Sequence, residues 1–118
     1  MKIATIHIKN LRLRTFIGFN EEELIKKQDV VINIYLDYDA SKAMQSDSVD
    51  DACNYKVLTK KIINVVEANR FNLLEKMSAD IMSIIQTDKA ILKAKVEIDK
   101  PHALRFSDSV SISYVWKV

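Results

Sequence analysis

At 118 residues, 48% hydrophobic and 29% charged, with a formal net charge of +2, the chain has the makeup of one globular domain, expected to span 1–118, and not of a disordered segment. A chain of this length buries roughly two-thirds of its extended surface, so its core needs no metal or disulfide staple. The small charge, with scattered basic residues and aromatics in strand-like alternation, argues against a nucleic-acid surface.

No apolar run approaches the roughly 20 residues of a membrane span. The opening MKIATIHIKN alternates and lacks the continuous apolar block of a signal peptide. The lone Cys53 leaves no partner for an internal disulfide and fits a reducing compartment. A cytoplasmic location is the expectation.

In chain order, KIATIHIK sets Ile3, Thr5 and His7 against Ala4, Ile6 and Ile8, the period of a strand. About 18 residues then follow, holding Gly18 and the run Glu21-Glu22-Glu23; an irregular connection of that length is often functional. DVVINIYLDYD places Val30, Ile32, Ile34 and Leu36 on one face and Val31, Asn33, Tyr35 and Asp37 on the other, a second strand. From Tyr55 to Arg70 the period becomes helical, with Leu58, Ile62, Val65 and Val66 on one side. A second helix is expected to start at Asn72 and to stack Leu74, Met77, Ile81, Ile84 and Ile85. ILKAKVEID and SVSISYVWKV complete the order ββααββ, an α+β arrangement with an antiparallel sheet and two helices on one face. The second and last strands carry little to blunt an edge, so pairing with other subunits is expected.

One stretch does not read as scaffold. VEIDKPHALRFSDSVSI leaves a strand through Lys100-Pro101 where a plain hairpin would use Asn-Gly or Asp-Gly. Pro101 biases Lys100 toward extended geometry. Lys100, His102 and Arg105 look placed to hold something as well as to turn.

The segments TFIGFNEEELIKKQDVVINI, DDACNYKVLTKKI, RFNLLEKMSADI and VEIDKPHAL resemble, in order and in spacing, the dihydroneopterin aldolases, ββααββ subunits of the tunnelling fold (T-fold). NLRLRTFIGFNEEE, NRFNLLEK and EIDKPHALRFSDSVSISYVW resemble the family's epimerase branch more closely. Many aldolases carry an aromatic-His-Gly element where this chain has Phe16-Ile17-Gly18, which favours that branch. The resemblance implies a pterin substrate with a polyol side chain. It also implies a homo-oligomer, a tetrameric β-barrel ring stacked into an octamer, with active sites between neighbours.

By the same resemblance Glu75 anchors the pterin, with the backbone of Leu74 assisting. A carboxylate accepts from a ring N–H and an adjacent amino group together. Asn72 to Glu75 also spells a helix capping box, the competing role for that carboxylate. Lys100 is implied in the proton traffic of a retro-aldol step, against the alternative of a solvated strand-end lysine. Tyr55, from a neighbouring subunit, would relay a proton to and from the 2′-hydroxyl, where otherwise it is an aromatic packed at a helix start. Glu23 would steer proton transfer through water; as part of an acidic turn it is not separable from Glu22.

His102 and Arg105, with Arg12 and Arg14 further off, are candidates to grip a triphosphate, since Arg favours such contacts through its planar fork. Pairing with acids such as Asp108 is the alternative for the arginines. One Cys and two His without ligand spacing imply no metal. One glycine cannot build a phosphate loop. No cofactor is expected.

The resemblance therefore implies an isomerase that inverts the 2′-carbon of dihydroneopterin triphosphate by cleavage and re-addition. The alternative is an aldolase releasing glycolaldehyde and 6-hydroxymethyl-dihydropterin. Further alternatives are a non-catalytic pterin- or purine-binding module and a non-enzymatic assembly protein.

Overall fold

The computed structural model describes all residues, 1–118. Strands β1 (Ile3–Ile17) and β2 (Gln28–Asp39) form one antiparallel hairpin, with the short helix α1 (Glu21–Ile25) in its connection. Strands β4 (Ile91–Lys100) and β5 (Val110–Lys117) form the other, and β2 pairs with β4 to join them. Between the hairpins lie α2 (Ser41–Ser46), a 3-10 turn at Val49–Asp51, α3 (Tyr55–Ala68), a two-residue β3 (Arg70–Phe71) and α4 (Leu74–Ile85). The strand order is β3-β1-β2-β4-β5. The expected α+β arrangement is present, and no helix is long and apolar enough to cross a membrane.

Four expectations change. The sheet is mixed, because β3 runs parallel to Phe16–Ile17. Strand β2 is central, so the free edges belong to β5 and to β1 outside its β3-paired end. The long irregular connection shrinks to Gly18–Lys27 because β1 continues to Ile17. It does so through a bulge: Asn10 adopts φ 51°, and the register shifts between Ile8 and Leu11. The Asn33 side chain holds that bulge, its Oδ1 accepting from the Asn10 N–H at 3.0 Å and its Nδ2 donating to Asn10 Oδ1 at 3.2 Å. The extra residue keeps Leu11 and Leu13 on the same face as Ile6 and Ile8, which simple alternation would not. Finally, α3 ends at Ala68 and α4 begins at Leu74, not at Asn72.

The core lies between one sheet face and helices α3 and α4, where 19 buried residues form one cluster. Helix α3 contributes Leu58, Ile62 and Val66; α4 contributes Met77, Ile81, Met82 and Ile85. Each such side chain, fully buried, is worth about 1.5–3 kcal/mol. Met82 takes the place expected for Ile84, which packs at the margin. Thr15 is buried in this layer and donates to the Val66 carbonyl at 2.6 Å, with the Asn69 carbonyl 3.2 Å away, so it seats the end of α3 on β1.

Candidate active site

The strongest polar focus is at the open end of β4. Lys100 lies on the helix side of the sheet, in line with Val96 and Ile98, and its ammonium forms an ion pair with Glu23. Both side chains are largely enclosed, at 15% and 17% exposure. Pro101 follows directly, and the Ala103 N–H closes a turn on the Lys100 carbonyl at 3.4 Å.

Glu23 is held from several sides. Asn20 caps α1, accepting from the Glu23 N–H at 2.9 Å. The Glu23 carboxylate in turn accepts through Oε1 from the N–H groups of Phe19 (3.3 Å) and Asn20 (3.4 Å). Through Oε2 it meets Lys100 and the Gln28 amide, the latter at 3.3 Å. Gln28 is itself fixed by donating to the Ile17 carbonyl at 2.6 Å. The Lys100 hydrogen bond pulls the Glu23 carboxyl below its ordinary value; burial opposes this, and Gln28 and the Asn20 backbone reinforce it. Glu23 is therefore a carboxylate at neutral pH.

The only glycine makes this possible. Gly18 has φ +117°, and a Cβ there would lie 2.1–2.3 Å from the Glu23 carboxylate atoms. The Gly18 N–H donates to the Phe71 carbonyl at 2.8 Å, so the chain entering α4 is held beside the same turn. Glu75 sits in the first turn of α4 with an exposed carboxylate. Leu73 occupies the N-cap position and no side chain caps that helix, which corrects the Asn72–Glu75 capping box. Both the Glu75 carboxylate and the first-turn N–H groups near Leu74 are thus open to a ligand.

Tyr55 is elsewhere. It begins α3, 45% exposed, and lines a cavity of about 710 Å³ with Ile6, His7, Ile8, Thr59 and Ile63. The opposite end of α3 is the one seated on Thr15, so Tyr55 lies about 20 Å, one helix length, from the Glu23–Lys100 end. Within one chain Lys100, Glu23 and the α4 entrance are brought to one end, and Tyr55 is not.

His102 lines a cavity of about 310 Å³ beside Glu23, together with Asn20, Glu22, Lys26, Lys27 and Gln28. Arg105 lies beyond it, its guanidinium 5.4 Å from the centre of the exposed Phe106 ring. Arg14 pairs with Asp29 at 3.7 Å, a different acid from the one expected, and donates to the Lys27 carbonyl at 3.1 Å. Arg12 points to the solvent side of the sheet, across from Val31.

Sequence reasoning missed Gln28, Gly18 as the space for Glu23, and the flanking Lys26 and Lys27. One signal was present: Asn20 followed at the third position by Glu23 is a capping-box pattern, and it separates Glu23 from Glu22.

The sequence model of the family described as FolB, dihydroneopterin aldolase, matches residues 6–115. The chain is 53% identical over 114 residues to the dihydroneopterin triphosphate 2′-epimerase of Escherichia coli (strain K12), covering 97% of this chain and 95% of that one. It is 50% identical over 111 residues to the protein of that name from Pseudomonas aeruginosa, covering 94% and 90%. The E. coli dihydroneopterin aldolase, solved in complex with neopterin, superposes with a TM-score of 0.89 at 25% identity, covering 98% and 99%. Sequence and fold agree over nearly the full length, and the chain belongs to the dihydroneopterin aldolase family.

Proposed function

We propose that the protein, acting as one domain over 1–118 in the cytoplasm, inverts the 2′-carbon of dihydroneopterin triphosphate. Glu75 and the α4 entrance hold the pterin edge. The 2′-hydroxyl loses its proton and becomes an aldehyde carbonyl as the C1′–C2′ bond breaks. The bonding electrons pass through C6 to the ring imine nitrogen, which gains a proton, leaving an enamine. The aldehyde turns its other face, C1′ attacks it, the ring nitrogen releases its proton, and the new alkoxide regains one. Atoms and charge balance with no external reagent.

Lys100 is the proton donor and acceptor at the ring nitrogen, and Glu23 fixes its position. Tyr55 of a second copy serves the 2′-hydroxyl, in a site between subunits of a homo-oligomeric ring. The enclosed Glu23–Lys100 pair carries this reading: it supplies a proton carrier with its counter-charge, and the Gly18–Phe71 hydrogen bond ties the same turn to the segment that leads into α4 and Glu75. The gap between 50–53% identity to the epimerases and 25% to the aldolase supports epimerisation over release.

The test incubates the protein with dihydroneopterin triphosphate and separates products by chiral chromatography. The 2′-epimer in excess over free aldehyde is expected. Aldehyde in excess would make the protein an aldolase, and no product would make it a binding module. Lys100→Ala should lower kcat by roughly 10²–10⁴-fold, the range of a lost general acid–base.

A further inference from the structure

Beside the Glu23–Lys100 pair, the cavity that His102 lines adjoins a second of about 360 Å³, and the two share Lys26, Lys27, Gln28 and His102. The second adds Arg14 and Asp29. Three acids face this space: Glu22, Glu23 and Asp29. Glu23 is matched by Lys100 and Asp29 by Arg14. That leaves Glu22 against Lys26 and Lys27, neither of which belongs to any ion pair of the chain.

Lys27 is also backed by a ring. Its ammonium lies 5.8 Å from the centre of Phe16, and on the same ring Arg70 stacks at 3.7 Å while donating to the Leu24 carbonyl at 2.8 Å. Arg70 likewise has no carboxylate partner. Surplus positive charge thus gathers on the outer side of the catalytic pair, in a concavity rather than on a convex surface.

We propose that Lys26 and Lys27, with His102 beside them, form the seat of the substrate's triphosphate tail. The inference rests on the reading of the reaction above and adds residues to it. A seat outside the Glu23–Lys100 pair places the reacting carbons between two anchors, the pterin grip at Glu75 and the cationic concavity. After the C1′–C2′ bond breaks, the aldehyde carries the triphosphate, so it stays tethered while its carbonyl turns over. The lysines hold the leaving fragment and take no part in bond cleavage itself. Retention by charge is what separates an epimerase from an aldolase with the same cleavage step.

The test has two arms. In the first, calorimetry at low salt measures binding of inorganic tripolyphosphate to the wild type, to Lys26→Ala/Lys27→Ala, and to the charge-matched control Lys42→Ala/Lys89→Ala. Binding to the wild type and the control, weakened at least about tenfold in the Lys26/Lys27 variant, is expected. No binding to the wild type, or equal binding to all three, overturns the seat. In the second arm, KM for dihydroneopterin triphosphate should rise at least about tenfold in the Lys26/Lys27 variant while KM for unphosphorylated dihydroneopterin is unchanged. The variant should also release more aldehyde per epimer formed. An equal KM rise on both substrates overturns the assignment to the tail. A wild type that converts neither substrate defeats the proposed reaction, and the calorimetric arm still judges the seat.

Discussion

At the residue scale, the site depends on a carboxylate packed so closely against Gly18 that a Cβ there has no room. Gly18→Ala combines a positive φ that L side chains rarely adopt with a collision against Glu23. It should cost about 1–3 kcal/mol of stability in denaturant unfolding and lower kcat, because Glu23 must move off Lys100. An Ala variant with wild-type kcat would show that the contact is dispensable. The ion pair itself makes a pH prediction. A carboxyl whose native pKa is depressed adds stability that is fully present above its unfolded value, near 4.5, and is lost as pH falls through the native value. The stability difference between wild type and Glu23→Gln should therefore be constant near neutrality and shrink below about pH 4.5, as measured by urea unfolding across pH.

At the scale of elements, two buried polar side chains, Asn33 and Thr15, do structural work. Asn33 holds the β1 bulge, and the bulge lets fifteen residues of β1 keep one face on the core. Thr15 docks the end of α3, and with it the start of β3 and the approach to α4. Thr15→Val keeps the shape but leaves the Val66 and Asn69 carbonyls without their donor. The expected cost is about 1–3 kcal/mol in urea unfolding, with KM for the pterin rising because the α4 entrance loosens. A neutral Val variant would mean that water replaces the hydroxyl. Cys53, by contrast, is inert: burial, aided by the Asp88 charge, pushes its thiol up to about 11, so it stays protonated near neutrality.

At the scale of the whole molecule, the separation of Tyr55 from Lys100 is the dominant fact. With Tyr55 at one end of α3 and Lys100 on β4 beyond the other, the proposed reaction would have to draw them from two copies of the chain. Mixing Lys100→Ala with Tyr55→Phe, after brief dissociation, should restore activity that neither variant has alone. Some sites in a mixed ring would then pair an intact lysine with an intact tyrosine. Failure to complement, with mixed oligomers demonstrated by native mass spectrometry, would sink the shared-site reading. The free edges of β5 and of most of β1 supply backbone groups for such a ring.

The hydrophobic periods of the sequence by themselves determined the two hairpins, the helix pair and most of the core face of β2, α3 and α4, because burial responds to a repeat that is local in the chain. Lys100, Glu23, Glu75 and Tyr55 could be singled out because family segments keep their spacing. Only the tertiary structure decided what each of them meets. It took β3, two residues long, to bring the α4 entrance beside Gly18, and a bulge at Asn10 to extend β1 to that turn. It also took α1 to bring Glu23 onto a lysine 77 residues away. These are long-range contacts with no periodic trace, so a capping box is expected at Asn72 where the structure forms one at Asn20, and nothing local marks out Lys26 and Lys27.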